Sequence, residues 1–471
     1  MLAAARGASY HTDVQRAVVD WWIEHQRRDL PWRSPHVTAA TYHSKRYDPY
    51  HIWVSEVMSQ QTQLGTVVRY YAAWMSHFPT IEALAAASEA EVRAVWAGMG
   101  YYRRAMYLRE GARYLTERHA QQQQRGAAVG MPRSVAELLK IPGIGPYTAA
   151  AIASVCYHEP VIAVDGNVVR VLSRLRAERD VDPKKPASIK RAGEWGQELM
   201  TAGGAAPCTA PGALNQGLME LGASICRPAG APLCGECPLK AYCGARAALL
   251  DGEITAIEGV IPLRAASSKK RVEEVVCVVH EFAGRRYAVV RRPEGGLLGG
   301  MLELPSLGHT GGATAAAAVQ ALRGGAAAAP RRVGQLKHVF SHIDMLVDVY
   351  HVRWPDGAEE ARVCGALAAQ LQAPAGAAAS QPPPRSEEAK PGLARRKGTP
   401  KKTAAAATAT ATEEAPPPRV FVKSEAELQA LAASRLLWKE LHLLPDRKKQ
   451  GRVTKKKTAA AAPKRSRSTA D

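Results

Sequence analysis

The sequence predicts two folded domains, an all-α domain followed by an α+β domain. Over residues 12–250, apolar residues recur with the periodicity of amphipathic helices. After residue 270 this pattern gives way to short β-branched runs of the kind found in strands. These runs occupy residues 275–279, 287–290 and 345–352. A chain of 471 residues is also long enough for two or three domains.

Composition divides the chain further. Residues 372–418 are dominated by Ala, Pro, Thr, Lys and Glu, so they bury too little apolar surface to offset the entropy of ordering. We therefore predict a disordered insertion within the second domain. The predicted segments are a flexible N-terminus (1–11), a helical domain (12–250), an interdomain linker (251–270), the second domain in two parts (271–371 and 419–446) separated by the insertion (372–418), and a basic disordered tail (447–471).

Charge indicates a polyanionic partner. The chain has 63 Lys and Arg against 43 Asp and Glu, a net charge of +20. Ten basic residues and no acidic one lie between positions 447 and 467, and the rest of the chain is basic as well. Such an excess favours nucleic acid or an anionic surface. No run of 18 apolar residues and no apolar signal core is found, so we expect neither a membrane span nor secretion.

Four of the eight cysteines form a cluster with the spacing C-x7-C-x2-C-x5-C. These are Cys226, Cys234, Cys237 and Cys243. Four thiolates so close in sequence indicate a metal centre in a reducing compartment, because eight cysteines are too few for a disulfide scaffold. Both a [4Fe–4S] cluster and a tetrahedral zinc ion fit four thiolates.

Residues 138–155 predict a helix-hairpin-helix, a short helix and a second helix joined by a Pro-Gly-x-Gly turn. Gly143 and Gly145 would let backbone N–H groups at the start of the second helix approach a phosphate closely. The motif is therefore a sequence-independent DNA grip.

Two carboxylic acids lie in contexts that suit catalysis. Asp165 precedes an apolar helical pattern and is expected to cap that helix. Glu56 lies among apolar residues of another helix, where burial would raise its pKa. Either residue alone suits a structural role, but their combination with a DNA grip and a cysteine cluster favours catalysis.

Seven motifs in order resemble the MutY-type adenine DNA glycosylases, members of the helix-hairpin-helix superfamily that includes endonuclease III. The motifs are LPWR (30–33), DPYHIWVSEVMSQQTQ (48–63), GMGYYRRA (98–105), IPGIGPYTA (141–149), VDGNVVRVL (164–172), NQGLMELGA (215–223) and the cysteine cluster. The resemblance implies removal of adenine mispaired with 8-oxoguanine or guanine in double-stranded DNA, and a [4Fe–4S] cluster.

The resemblance also implies residue roles. Glu56 would be the general acid that protonates adenine N7, and Asp165 would stabilise the oxocarbenium ion. Tyr147 and Asn167 would orient these groups. The remaining implied residues are Trp32, Arg33 and Glu220 in the adenine pocket and Gln60, Gln61 and Tyr101 at the lesion. Bifunctional relatives carry a Schiff-base Lys where this sequence has Tyr147, so we predict a monofunctional enzyme.

In the family the second domain resembles a Nudix hydrolase fold and reads 8-oxoguanine. The resemblance assigns the lesion contact to Phe340, Ser341 and His342. No helix with the clustered glutamates of a Nudix hydrolase follows the glycine-rich segment 296–305, so nucleotide hydrolysis is not expected.

These observations predict an adenine DNA glycosylase of base excision repair that acts as a monomer. Two alternatives are an endonuclease III-like glycosylase and lyase for oxidised pyrimidines, and a non-catalytic DNA-binding protein with zinc. The basic tail favours a nuclear location, and a mitochondrial share is the alternative. We expect repair and replication proteins to bind through the linker or the tail. An insertion at 34–47 adjoins Arg33 and could alter access to the pocket.

Overall fold

A computed structural model describes most of the two predicted domains. The described residues are 8–42, 44–122, 129–263, 270–293, 298–309, 312–323, 329–340, 342–355, 360–372, 420–430 and 434–444. The predicted disordered insertion and basic tail lie outside the described residues, apart from Gln372. The chain forms two units, Met1–Lys269 and Lys270–Asp471.

The first unit is helical, in agreement with the periodicity of its sequence. A short 3-10 helix, Pro31–Arg33, precedes α2, and Ala202–Gly204 forms another. The α-helices are α1 (Ala8–His25), α2 (Pro49–Ser59), α3 (Leu64–His77), α4 (Ile81–Ala86), α5 (Glu89–Val95), α6 (Arg103–Gln121), α7 (Val135–Leu138), α8 (Pro146–Tyr157), α9 (Gly166–Arg176), α10 (Pro186–Met200), α11 (Pro211–Ser224) and α12 (Gly244–Leu250).

Large aromatic side chains fill the helical core. Trp22, Trp53, Trp74 and Trp96 are each at most 1% exposed. Burying one such ring removes well over 100 Å² of apolar surface from water and stabilises the fold by several kcal/mol, to within about a factor of two. Helices α2, α8, α9 and α11 pack together within this unit and carry the residues of the candidate site.

The structure differs from the predicted boundaries at both ends of this unit. Helix α1 begins at Ala8, so residues 8–11 are helical where a flexible terminus was predicted. Residues 251–263 belong to the first unit, where a linker was predicted, because Ile254, Ile257 and Ile261 are buried against α12. These isoleucines recur at intervals of three and four residues, but Gly252, Gly259 and Pro262 around them are typical of a linker.

The second unit is a mixed sheet covered by helices on both faces. The order is β3-β2-β1-β6-β5, with β4 beside β1 and β7 beside β2. Only β1 and β6 are paired in parallel among the described strands. The strands are β1 (Arg271–Phe282), β2 (Arg286–Arg291), β3 (Leu302–Glu303), β4 (Ser306–His309), β5 (Arg331–Val339), β6 (Ile343–Arg353) and β7 (Val420–Ser424).

Four helices complete this unit: α13 (Gly312–Ala321), α14 (Glu360–Gln372), α15 (Glu425–Ala430) and α16 (Arg435–Leu441). One face of the sheet packs against α15 and α16 through Leu428, Leu437 and Leu441, and the other packs against α13 and α14 through Ala318 and Leu367. The three predicted strands are β1, β2 and β6. After the predicted insertion, the described structure resumes at Val420 with β7.

Candidate active site

The candidate acid, Glu56, lies near the C-terminal end of α2. This helix begins at the N-cap Asp48, whose carboxylate accepts hydrogen bonds from the backbone N–H groups of Tyr50 and His51 at 2.8 and 3.3 Å. The Tyr147 hydroxyl donates a hydrogen bond of 2.7 Å to Oε2 of Glu56. Glu56 is half-buried.

Burial raises the pKa of Glu56 above its ordinary value. The hydrogen bond from Tyr147 and the positive charge of Arg33 oppose that increase, whereas the negative charge of Asp165 adds to it. Tyr147 stays a neutral donor, because burial and the nearby carboxylates raise its pKa well above the usual range. Glu56 therefore holds its proton to a higher pH than an exposed glutamate, as a general acid requires.

The second carboxyl group, Asp165, caps helix α9 as its sequence context predicts. Its Oδ1 accepts a hydrogen bond of 2.7 Å from the backbone N–H of Val168, and its Oδ2 accepts one of 2.8 Å from Nδ2 of Asn167. Burial raises the pKa of Asp165 above its ordinary value, and these hydrogen bonds oppose part of that increase. Asp165 thus receives more donors than Glu56, an asymmetry that favours its ionised form over that of Glu56.

A buried arginine network links Asp165 to the cysteine loop. Nη2 of Arg170 donates to Oδ1 of Asn167 at 2.8 Å and to the carbonyl of Gly222 at 2.7 Å. Nε of the same guanidinium donates to the carbonyl of Cys226 at 2.8 Å. A single side chain therefore joins the residue that orients Asp165 to the first cysteine of the cluster.

The four cysteines line one cavity, whose wall also includes Arg174, Lys240 and Arg246. Nη1 of Arg174 lies 3.3 Å from Sγ of Cys226. Among the described residues, no three metal-ligand side chains converge closely enough to hold a single ion. Four cysteine thiolates suit either a tetrahedral zinc ion or a multinuclear iron–sulfur cluster.

The predicted pocket residues surround a buried carboxylate, Glu220 of α11. Nε of Arg27 donates to its Oε1 at 2.6 Å, and Nη1 of Arg33 lies 3.6 Å from its Oε2. Trp32 is buried, with its ring 5.0 Å from that of Tyr71. Nη1 of Arg33 is buried without a hydrogen-bond partner among the described residues. An unpaired buried donor is costly, so this N–H is suited to a ligand acceptor.

The insertion at 34–47 lies against this pocket, apart from position 43, which is outside the described residues. Val37 and Tyr47 are buried, and the Val37 carbonyl accepts a 2.8 Å hydrogen bond from Gln26. Burial raises the pKa of Tyr47, and the nearby positive charge of Arg33 opposes that increase. The insertion is therefore partly built into the wall beside Arg33.

The helix-hairpin-helix turn joins α7 to α8 as predicted. Gly143 has φ +80°, and a Cβ atom there would lie 2.4 Å from Cβ of Tyr107, so glycine is required at this position. Gly145 is the N-cap of α8, and a Cβ atom there would meet nothing within 4 Å. The open helix start leaves backbone N–H groups accessible to an anion.

The predicted lesion-probing residues lie on two exposed turns. Gln60 and Gln61 follow α2, and Tyr101 precedes α6 with 47% of its surface exposed. The buried guanidinium of Arg104 contacts both turns. The structure thus brings these residues together through a side chain that the sequence reasoning did not single out.

In the second unit, Phe340 and His342 lie in the turn between β5 and β6, while Ser341 lies outside the described residues. The backbone N–H of Phe340 donates to the carbonyl of Ile343 at 2.8 Å. Phe340 packs on the core, and His342 is exposed. The turn therefore presents one polar side chain beside an anchored ring.

Sequence reasoning missed Arg27, Arg104, Arg170, Arg174 and Met219, whose Sδ lies 3.4 Å from the Tyr147 hydroxyl. A signal existed for three of them. Arg104 occupies the apolar stripe of α6, and Arg170 and Arg174 occupy that of α9. An arginine on the buried face of a helix must donate its hydrogen bonds to distant groups.

Comparison with known families agrees with this geometry. The family of HhH-GPD superfamily base excision DNA repair proteins matches residues 54–197, and the NUDIX domain family matches residues 275–383. Among the described residues, no helix combines the length and apolar character needed to cross a membrane.

Curated relatives cover most of the chain. The rat adenine DNA glycosylase (Rattus norvegicus) is 36% identical over 371 residues, which cover 70% of this chain and 68% of the relative. The human adenine DNA glycosylase (Homo sapiens) is 35% identical over 373 residues, covering 70% and 65%. A solved thermostable thymine-DNA glycosylase is 24% identical with a TM-score of 0.40, covering 50% of this chain and 96% of that chain.

Proposed function

The chain belongs to the adenine DNA glycosylases of base excision repair, and from this premise we propose that it removes adenine lying opposite 8-oxoguanine, or opposite guanine, in double-stranded DNA. The predictions of a helix-hairpin-helix glycosylase domain and a Nudix-like domain are confirmed. The relatives favour neither the endonuclease III-like alternative nor a non-catalytic DNA-binding protein.

The observation that carries the proposal is the pair of carboxyl groups in different environments. Cleavage of an N-glycosidic bond requires a leaving base made neutral and a sugar cation that is stabilised. Glu56, with a raised pKa and a neutral donor beside it, supplies a proton to adenine N7. Asp165, which accepts hydrogen bonds from Asn167 and Val168, supplies negative charge to the oxocarbenium ion at C1′.

Adenine must leave the base stack before either group can act on it. Flipping costs a few kcal/mol, least at a mismatch, which favours a mispaired adenine. The flipped base would enter the pocket of Trp32, Arg33 and Glu220. Nη1–H of Arg33, which is ion-paired with Glu220 but makes no hydrogen bond among the described residues, is a donor for a ring nitrogen, and Glu220 is an acceptor for the exocyclic amino group.

The reaction would stop at the abasic site. Strand cleavage by a covalent imine needs an amine at the reacting carbon. The position beside Glu56 is occupied by the hydroxyl of Tyr147, which cannot form an imine. The enzyme would therefore be monofunctional and leave the DNA strand uncut.

The cysteine cavity would hold a [4Fe–4S] cluster through Cys226, Cys234, Cys237 and Cys243. Membership of the adenine DNA glycosylase family supports a cluster over zinc. When bound, the cluster would stabilise the loop from which the Cys226 carbonyl accepts its hydrogen bond from Arg170. Iron and acid-labile sulfide analysis of the purified protein distinguishes the two metals, and zinc with no sulfide would refute this assignment.

Residues of both units would contact the strand that carries the lesion. Gln60, Gln61 and Tyr101 are exposed on turns of the first unit and suit a role in probing or wedging the stack. Phe340, Ser341 and His342 of the second unit would contact 8-oxoguanine itself. A monomeric protein in the nucleus, with repair and replication proteins as partners of the linker or tail, completes the proposal.

The decisive experiment is single-turnover cleavage of duplexes with adenine opposite 8-oxoguanine, guanine or thymine. Each product is analysed with and without alkali, and the wild type is compared with Glu56→Gln and Asp165→Asn. We expect breaks only in the mispaired adenine strands, only after alkali, and none with either variant. Breaks without alkali would refute the monofunctional assignment, and release of adenine opposite thymine at an equal rate would refute the proposed substrate.

A further inference from the structure

A single buried side chain joins the two exposed turns that carry Gln60, Gln61 and Tyr101. Arg104, at the second position of α6, is 8% exposed. Five acceptors lie within hydrogen-bonding distance of its four terminal N–H groups, so one N–H of Nη1 is shared between two carbonyls. Nη1 donates to the carbonyls of Val57 (2.8 Å), Met58 (2.9 Å) and Gln60 (2.6 Å), and Nη2 donates to Oγ1 of Thr62 (3.0 Å) and the carbonyl of Gly100 (3.2 Å).

The acceptors explain why the charge is tolerated inside the protein. The last carbonyls of a helix have no partner within it and carry partial negative charge, so the end of α2 attracts a cation. The guanidinium also lies over two rings, 5.2 Å from the centroid of Trp96 and 5.4 Å from that of Tyr101. Burial lowers the pKa of Arg104 to about 10, which leaves it charged at neutral pH.

Helix formation by itself does not favour an arginine here. A positive charge in the first turn of α6 opposes the helix dipole, and burial of a guanidinium costs solvation. Arg103, its neighbour, is exposed and lies over the ring of Tyr107. The contacts of Arg104 are thus specific to the two turns.

Both turns hold a strained backbone. Gln61 has φ +55° and Tyr101 has φ +49°, left-handed conformations that are unfavourable for a residue other than glycine. The carbonyls that Arg104 binds lie immediately before these two residues, at Gln60 and Gly100. The same guanidinium therefore holds both strained residues and sets the distance between them.

We propose that Arg104 is a positioning residue that fixes the Gln60–Gln61 turn relative to the Tyr101 turn and thereby sets the preference for duplexes containing 8-oxoguanine. The inference rests on the proposed function, in which these three side chains probe the stack. A lysine cannot replace Arg104, because one ammonium nitrogen cannot reach acceptors on both turns as a planar fork does.

The test compares Arg104→Lys with Arg103→Lys, which makes the same charge-conserving change at the exposed neighbour. The readout is the ratio of single-turnover rates for adenine opposite 8-oxoguanine and opposite guanine. We expect Arg104→Lys to lower this ratio roughly tenfold, since small displacements of positioned groups have effects of that order or larger. Arg103→Lys should leave the ratio unchanged.

The coupling between Arg104 and Tyr101 is tested with Tyr101→Ala and the double variant Tyr101→Ala/Arg104→Lys. Because Arg104 acts partly through Tyr101, the fold-loss of the ratio in the double variant should be smaller than the product of the two single fold-losses. Thr62→Val, which removes one acceptor on one turn, should lower the ratio in the same direction by roughly two- to threefold and covers the case in which Arg104→Lys does not fold. A lower melting temperature with an unchanged ratio, or a fold-loss in the double variant equal to the product of the two single fold-losses, would overturn the inference.

Hydrogen exchange separates this inference from the proposed function. Arg104→Lys should accelerate exchange in both turns, in peptides covering 57–63 and 97–102, whether or not the protein discriminates between duplexes. A wild type that releases adenine equally from all duplexes contradicts the proposed function. Unchanged exchange in either turn of Arg104→Lys contradicts the positioning role.

Discussion

The hydroxyl of Tyr147 donates a 2.7 Å hydrogen bond to Oε2 of Glu56, and this bond joins the start of α8 to the end of α2. Gly145, the N-cap of α8, lies two residues before Tyr147. The helix proposed to bind a DNA phosphate at its N-terminus therefore also carries the hydroxyl that hydrogen-bonds to the proposed acid. In the proposed function, binding of DNA by the hairpin and placement of the acid depend on the same helix.

We expect Tyr147→Phe to shift the basic limb of the pH–rate profile to higher pH. The tyrosine hydrogen bond favours ionised Glu56, so its removal raises the pKa of that carboxyl further. The maximal single-turnover rate should also fall by roughly tenfold or more, because the acid loses its orientation. The control is Tyr157→Phe on the same helix, whose hydroxyl bonds the Met131 carbonyl. An unmoved basic limb in Tyr147→Phe would argue against Glu56 as the acid.

Arg170→Lys should lower the single-turnover rate at least tenfold with little change in DNA affinity. The guanidinium bonds Asn167, Gly222 and Cys226 at once, and a lysine leaves some of these buried acceptors unpaired, at roughly 1–3 kcal/mol each. Rates and fluorescence-anisotropy binding curves are compared with Arg176→Lys, a change at a more peripheral ion pair of α9. Equal rates in the two variants would refute the coupling between the cysteine loop and Asp165.

The two glycines of the hairpin should respond differently to alanine. Gly143→Ala places a Cβ atom against Tyr107 at a positive φ, so it should destabilise the protein by roughly 2 kcal/mol and weaken DNA binding. Gly145→Ala meets open space, so it should leave the melting temperature nearly unchanged while weakening binding by hindering the phosphate. Thermal unfolding and binding at fixed salt check both. Full affinity in Gly145→Ala would contradict the phosphate grip.

His280 should make the second unit sensitive to acid. The ring is fully buried, with Nε2 at 2.8 Å from the Leu322 carbonyl and Nδ1 accepting from Nε1 of Trp354 at 3.2 Å. Burial lowers its pKa from 6.5 to about 4. The unfolded chain binds this proton below pH 6.5, whereas the folded chain binds it only near pH 4. The contribution of neutral His280 to the free energy of unfolding is therefore complete above pH 6.5 and is lost as the pH falls towards 4.

The loss should reach roughly 3 kcal/mol between pH 6.5 and 4. Hydrogen exchange in peptides of β1, corrected for intrinsic rates, measures it in the full chain. His280→Gln should remove most of this pH dependence, whereas His342→Gln, at an exposed position, should retain it. The same slope in His280→Gln and the wild type would show that other groups are responsible.

Local signals in the sequence were sufficient for the elements that carry the chemistry. The capping role of Asp165 follows from one residue before an apolar helical pattern, and the turn at Gly143 follows from a Pro-Gly-x-Gly motif. The chain termini of the first unit were less predictable. Ile254, Ile257 and Ile261 pack against α12, but the glycines and the proline among them make their segment resemble a linker in sequence.

The sequence by itself determined the helical and α+β units, the four-cysteine spacing and the identity of the two carboxylic acids, because periodicity, capping and spacing are properties of neighbouring residues. The tertiary structure alone decided which groups act together. Tyr147 reaches Glu56 across 91 positions, and Arg170 reaches Cys226 across 56. Such contacts form only when distant helices pack, and only packing determines how far burial shifts the pKa of each acid.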